Sequence, residues 1–279
     1  MLLVAVGLYL TNSFNRDQFR LQQKTTQQQQ DLALNGQRAD RFVKAIDQLG
    51  QEGNDKLGIR VGGIYALETL MRDSPGDENT IIEVLGAFIR THSPRPKVIP
   101  KPVPSSPVDV RAALSVLGRR PDPDSHRPVD LANTLLGLDH IDLRRADLRD
   151  TSLPDADLRG ANLYGANLRA ADLNRADLAD ADLIDADLGG ADLGGADLDR
   201  AVLDSAYLDL TLLRGASLRG AFLTAAHLRY ANLTRADLTR ADLTSADLRG
   251  AHLSGAQLGC TTTDKSTKLP TGVPIPPCT

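Results

Sequence analysis

The sequence predicts a mainly β solenoid, a quadrilateral β-helix of about six coils, preceded by an α-helical N-terminal region. Two observations carry the solenoid. Leu occupies every fifth position from Leu138 to Leu258, 25 times in succession. The residue two before each Leu is Ala from Ala146 to Ala256, except at Thr151 and Thr211. A third observation carries the helical region: upstream of a Pro-rich stretch, apolar residues recur at helical spacing.

A five-residue period fits neither regular backbone. In an α-helix five residues turn about 500°, a net of roughly 140°, so the Leu would spiral and form no single face. In a flat strand the side-chain period is two, so successive Leu would point to opposite faces. A chain that turns a corner every five residues does bury them together. Four corners close a square coil of 20 residues, and each Leu lies above the Leu one coil earlier. The frame from Ile141 to Cys260 gives six coils, about 29 Å at roughly 4.8 Å per coil.

Ala and Leu are then the inward pair, and the residue between them faces out. That residue is mostly Asp or Asn, poor in ordinary sheets but suited to bonding the backbone beside a turn. Gly190, Gly195, Gly215, Gly220, Gly250 and Gly255 fall at the corner, where positive φ is expected. The stretch "ADLRGANLYGANLRAADL" and its neighbours resemble the pentapeptide-repeat family. The resemblance implies a right-handed coil.

Residues 1–13 begin with "MLLVAVGLYL", an apolar run shorter than the roughly 20 residues that span a bilayer. It lacks the basic start and cleavage site of a signal peptide. Three readings stand: the end of a membrane helix whose start codon was placed too late, a short interfacial anchor, or an apolar helix packed on the protein. Arg16, Arg20 and Lys24 follow the run, which points to a cytoplasmic location for the rest of the chain. Residues 14–57 read as a long polar helix. Leu32, Ala39 and Ile46, with Phe42 and Leu49, make under three heptads. A spacer helix packed on the next helices is favoured over a coiled coil.

Residues 58–92 read as a helical hairpin with Ile64, Leu67 and Met71 on one stripe and Ile81, Val84, Leu85 and Phe88 on the other. Between them Ser74 is the expected N-cap, with Pro75 and a capping box closed by Asp77. "RVGGIYALETLMRDSP" and "TIIEVLGAFIRTHSP" resemble the pre-repeat segment of membrane-tethered pentapeptide-repeat proteins of high-GC Gram-positive bacteria. Gly62 and Gly63 read as close helix packing. Residues 93–107, "SPRPKVIPKPVPSSP", form a semi-rigid linker. Residues 108–137 hold a capping helix, with Ser106 as its cap and Val110, Leu114 and Leu117 inward, and a lead-in; the helix covers the open coil end. The repeats occupy 138–260, and 261–279 form a C-terminal cap or tail.

Chemistry is sparse. His92, His126, His140, His227 and His252 lack metal-ligand spacing, and no phosphate loop or nucleophile motif appears. No catalytic, cofactor or metal residue is expected, and no small-molecule substrate. Cys260 and Cys278 are too few for a disulfide framework. A reduced compartment is the simpler reading, and pairing would require an extracytoplasmic C-terminus. The net charge of −4 offers no basic field for nucleic acid. The frame from Ile141 to Cys260 carries 19 Asp and 13 Arg, with no Glu or Lys. Some members of the resembled family mimic DNA and bind gyrase, which makes a topoisomerase modulator the runner-up. The Arg dilution and the Pro-broken tail argue against it.

One block departs from Asp/Asn at the outward position: Val202, Tyr207, Leu212, Ser217, Phe222 and His227. Folded modulo 20, one side shows Tyr164, Ile184, Val202 and Phe222, with Tyr207, His227 and Tyr230 around the corner. This is the candidate surface for an unidentified protein partner, unless the N-terminal helices or the linker cover it. The function expected is a non-enzymatic, membrane-tethered scaffold on the cytoplasmic face.

Overall fold

A computed structural model describes residues 2–100, 102–120, 128–131 and 133–273. His126 and Cys278 fall outside the described residues. Four α-helices precede the solenoid among them: α1 (Leu2–Leu49), α2 (Leu57–Asp73), α3 (Glu78–His92) and α4 (Val108–Gly118). The apolar run and the Gln-rich segment are one continuous helix, α1. Among the described residues no helix is long and apolar enough to cross a membrane.

Among the described side chains of α1 only the last turns are packed. Side chains from residue 18 to 37 are exposed, whereas Ala45 and Leu49 are buried against α2. The contact is close because Gly63 has no side chain: a Cβ there would stand 2.8 Å from the Ala45 carbonyl oxygen. Gly62 meets nothing. Both hairpin stripes face inward, with Val84 at the margin. Neither expected cap forms. Ser74 makes no side-chain cap bond, and a 3₁₀ turn at Pro75–Asp77 joins α2 to α3. Ser106 instead accepts the Gly137 amide, tying the chain before α4 to the first coil.

A buried ion pair locks this region. Arg60 of α2 donates to Asp109 of α4 at 2.6 Å, with side chains 9% and 1% exposed. Its remaining nitrogen reaches the Gln51 and Gly53 carbonyls. Helix α4 then seals the solenoid. Leu114 and Leu117 are fully buried, and the Asp147 amide bonds the Gly118 carbonyl at 2.8 Å.

The Pro-rich segment does not stand free as a spacer. It is a strap on the solenoid: Pro94 pairs with Thr134, Arg95 reaches Asp155, and the Ser106 amide bonds Gly137. One contiguous apolar core therefore runs from Ala45 to Leu258.

The repeats form parallel rungs spaced 20 residues apart, beginning Gly137↔Asp157 and ending Asp247↔Lys268. Almost every inward Leu and Ala is completely buried. Thr211 replaces an Ala at no loss, because its hydroxyl bonds the Leu188 carbonyl at 2.9 Å. Every corner from His140 to Cys260 has φ between +53° and +75°, and most are not Gly. Each is the third residue of a turn closed by an Ala amide on the preceding Leu carbonyl, the type II pattern. Ladder bonding overrides a left-handed cost of about 1–2 kcal/mol per non-Gly corner.

Thr262 and Lys268 of the C-terminal segment continue the ladder, the latter one residue out of step. Cys260 is disulfide-bonded, against the expectation of reduced thiols. Its one possible partner within the chain is Cys278.

Two substitutions test this packing. Gly63→Ala overpacks the α1–α2 contact and is expected to cost about 1–3 kcal/mol. Asp109→Ala strands the Arg60 guanidinium and is expected to cost about 3–5 kcal/mol. Both are read by chemical denaturation; a Gly63→Ala chain as stable as its parent would contradict the close approach.

Candidate interaction surface

Each five-residue side has five amides to satisfy. The side at Ala161–Gly165 shows how. Ala161 bonds Leu158 across the corner, Asn162 bonds Ile141 one coil below, and Leu163 and Gly165 bond Asp182 and Ile184 one coil above. The fourth amide, on Tyr164, points outward and donates to Asn162 Oδ1 at 3.2 Å. This is why the outward position is Asp or Asn: a short side-chain acceptor caps the amide two residues on. The same bond recurs at Asp182, Asp187, Asp192, Asp237 and Asp242.

The block from Val202 to His227 cannot make that bond, apart from the hydroxyl of Ser217. Part of it is compensated from below. The amides of Arg219, Thr224 and Arg229 donate to Asp199, Asp204 and Asp209, each 20 residues earlier, at 3.1, 2.9 and 2.8 Å. The amides nearer the N-terminus on Asp204, Asp209 and Arg214 have no acceptor among the described residues. The positions that would cap them from below are Ile184, Gly189 and Gly194.

We label the four sides of the prism A to D in chain order, with Asp182 on A, Asp187 on B, Asp192 on C and Asp197 on D. The rungs place Val202 and Phe222 together on side A, between Asp182 and Asp242. Tyr207 and His227 stack on side B, ring centroids 5.0 Å apart. Tyr230 sits at the corner of B and C with the Arg229 guanidinium over its ring. Phe222, Tyr207 and Tyr230 are each about half exposed, and the strap lies on the corner of C and D, so neither strap nor helices cover them.

Ile184 and Val202 are half-buried on side A. Tyr164 lies apart, in a cleft of about 430 Å³ beside Ser115 and Arg119 at the end of α4. Two exposed residues were missing from the candidate set: Leu210, beneath Tyr230, and Leu212 on side C, exposed 63% and 45%. Leu210 had a signal, an apolar residue at a corner otherwise occupied by polar or small ones.

Elsewhere on the wall several carboxylates are paired with Arg. Arg175 pairs with Asp155, Arg200 with Asp180, and Arg249 with Asp247. The Arg249 bond holds the Asp247 carboxyl down at about 2. The Ser245 amide does the same for Asp264, also about 2. Asp177 goes the other way, raised first by burial and then by Asp197 and Asp157 stacked on either side. Among the described residues no cluster of His, Cys, Asp or Glu is arranged to hold a metal.

A four-sided solenoid with five-residue sides, Leu and Ala inside, defines the class. A family profile for pentapeptide repeats, in eight copies, matches residues 141–180, 181–220, 206–244 and 216–255. The chain belongs to the pentapeptide-repeat family. Among solved structures it is similar to HetL, a pentapeptide repeat protein involved in heterocyst differentiation regulation in the cyanobacterium Nostoc (33% identity, 48% of this chain and 78% of that one, TM-score 0.25). It is also similar to QnrB1, a plasmid-mediated fluoroquinolone resistance protein (22% identity, 50% and 79%, TM-score 0.36). A second Nostoc pentapeptide repeat protein is 40% identical over 37% of this chain and 77% of that one, with a TM-score of 0.20. No curated protein matches the chain.

The depressed carboxylates set an acid limit. Their folded values of about 2 lie below the ordinary carboxylate value near ~3.9, so their stabilisation is fully present above that value and is lost as pH falls towards 2. Asp177 contributes with the opposite sign, its share being lost as pH rises through its folded value. The melting temperature is expected to fall between about pH 4 and pH 2, and less steeply in Asp247→Asn. An identical fall in that variant would contradict the assignment.

Proposed function

We propose that this chain is a non-enzymatic scaffold that binds another protein through the apolar belt on sides A, B and C. The observation that carries the reading is the exposure of Tyr207, Leu210, Leu212, Phe222 and Tyr230, with Val202 half-buried beside them, on adjacent coils of a wall that is otherwise polar. Clustered exposed aromatics on a rigid support are the usual composition of an interaction core. The repeat's own rule would put Asp or Asn at four of these positions, so the belt departs from what the fold requires. The carboxylates are engaged as amide caps and Arg partners, which supports a structural role for them. The 13 Arg among 19 Asp in residues 141–260 dilute the acidic face that the runner-up, a DNA-mimicking modulator of a type II topoisomerase, would need. The right-handed coil is carried over from the family resemblance.

The proposal includes attachment of the N-terminal end of α1 to the membrane through its apolar run; the Cys260 disulfide favours the extracytoplasmic face over the cytoplasmic one that Arg16, Arg20 and Lys24 point to. Cell fractionation tests the attachment. Thiol labelling of Cys260 in intact cells tests the compartment, because disulfides persist where the surroundings are oxidising.

The scaffold reading is tested by pull-down from membranes of the native host, comparing the intact protein with a Val202→Asp/Phe222→Asp variant. Both substitutions restore the repeat consensus, so circular dichroism should be unchanged. A partner lost only from the variant is the expected result. An unchanged partner set would remove the belt from consideration.

A further inference from the structure

The belt continues a surface that already holds an extended segment. The strap climbs the corner of C and D, with Ile99, Pro102 and Val103 beside a cleft of about 410 Å³ lined by Asp155, Arg175 and Gly195. Gly215 stands one coil beyond Gly195 at that same corner, and Leu212 lies on the adjoining side C. Among the described residues no other segment covers the wall from there round to Tyr207. Beneath Tyr207 and Leu212 the side positions are Gly189–Gly190 and Gly194–Gly195, where the flexible ends of Arg169 and Asn174 reach up over Gly189 and Gly194 and Gly190 is open. Above them the Asp209 and Arg214 amides point outward with no acceptor among the described residues. Asp187 and Asp192 flank this stretch.

Resting on the scaffold reading, we propose that sides B and C of the belt receive an extended, basic, proline-containing segment of the partner protein. Its backbone carbonyls accept from the Asp209 and Arg214 amides, and its apolar side chains lie on Tyr207, Leu210 and Leu212. Three features select this occupant. The belt occupies three sides of a square prism, so a flat partner, such as a second copy of this chain, reaches only part of it. The distinctive polar groups here are donors. A proline-containing segment offers carbonyls with few amides of its own to satisfy, and aromatic surfaces receive such segments readily. The strap, "SPRPKVIPKPVPSSP", is itself of this chemistry. Its Arg and Lys suit a wall on which Asp outnumbers Arg.

The test uses the full-length chain labelled with ¹⁵N and a synthetic peptide of residues 93–107 added in trans. Saturable binding with amide shifts at Asp209 and Arg214 is expected. Gly189→Asp/Gly194→Asp should weaken binding about tenfold or more. The new carboxylates would cap those two amides from below, as Asp199 caps Arg219, while the fold stays intact. If that variant folds poorly, Tyr207→Asp/Leu212→Asp caps the same amides from their own sides and should have the same effect. Absence of saturable binding, shifts confined to another surface, or undiminished binding by a folded variant would each overturn the proposal. A partner that still depends on Val202 and Phe222 in the pull-down would then leave the scaffold reading standing without this docking mode.

Discussion

The amide of the fourth residue on each five-residue side has no backbone acceptor within the coil, and the composition of the outer wall follows from that. The other four amides are satisfied by the turn and by the coils above and below. The fourth faces outward and needs a short side-chain acceptor. Such a cap is worth about 1 kcal/mol, against about 2–5 kcal/mol lost on truncating a buried Leu. Leu burial therefore holds each coil together, and the caps decide which polar residues surround it. The left-handed corners cost about as much as a cap recovers, which is why ladder bonding is indispensable to a coil built largely from non-Gly corners.

This constraint separates structural from functional departures on the wall. Where Phe222 and His227 displace the usual acceptor, Asp204 and Asp209 take over from one coil below, so the chain keeps these amides satisfied while exposing aromatic side chains. Where Val202, Tyr207 and Leu212 displace it, no substitute is present. The wall there exchanges a few kcal/mol of local bonding for an apolar surface with open donors. An ordinary neutral drift of surface residues would scatter such positions. From Val202 to His227 they are successive in sequence and adjacent in space, with Ser152, His252 and Gln257 as departures outside the block.

Much of the repeat was legible because its signal is local and periodic. The inward pair and the stacking of sides follow from position modulo five and modulo 20, and the cap at the outward position follows from Asp and Asn beside a turn. Leu210 was missed because it occupies a corner and lies outside the outward column. The caps from Asp199, Asp204 and Asp209 were not legible, since a bond spanning 20 residues needs the coil register first. In the helical region the apolar stripes of α2 and α3 were clear. The Ser106 hydroxyl was misassigned because a tertiary donor, the Gly137 amide, outcompeted the local cap, and Ser74 leads into a 3₁₀ turn without capping it. The strap was read as a spacer because proline content reports extension and says nothing of what an extended segment lies on.

A double-mutant cycle on Asp204 and Phe222 tests the central claim most directly. Asp204→Ala alone should cost about 1 kcal/mol by removing the cap on the Thr224 amide. In a Phe222→Asp background the new carboxylate caps the same amide from its own side, and Asp204→Ala should then be nearly neutral. The account predicts a coupling energy of about 1 kcal/mol between two residues on different coils. Strictly additive effects would contradict it, because the outward Asp would then be a solvated charge and the composition of the wall would need another explanation.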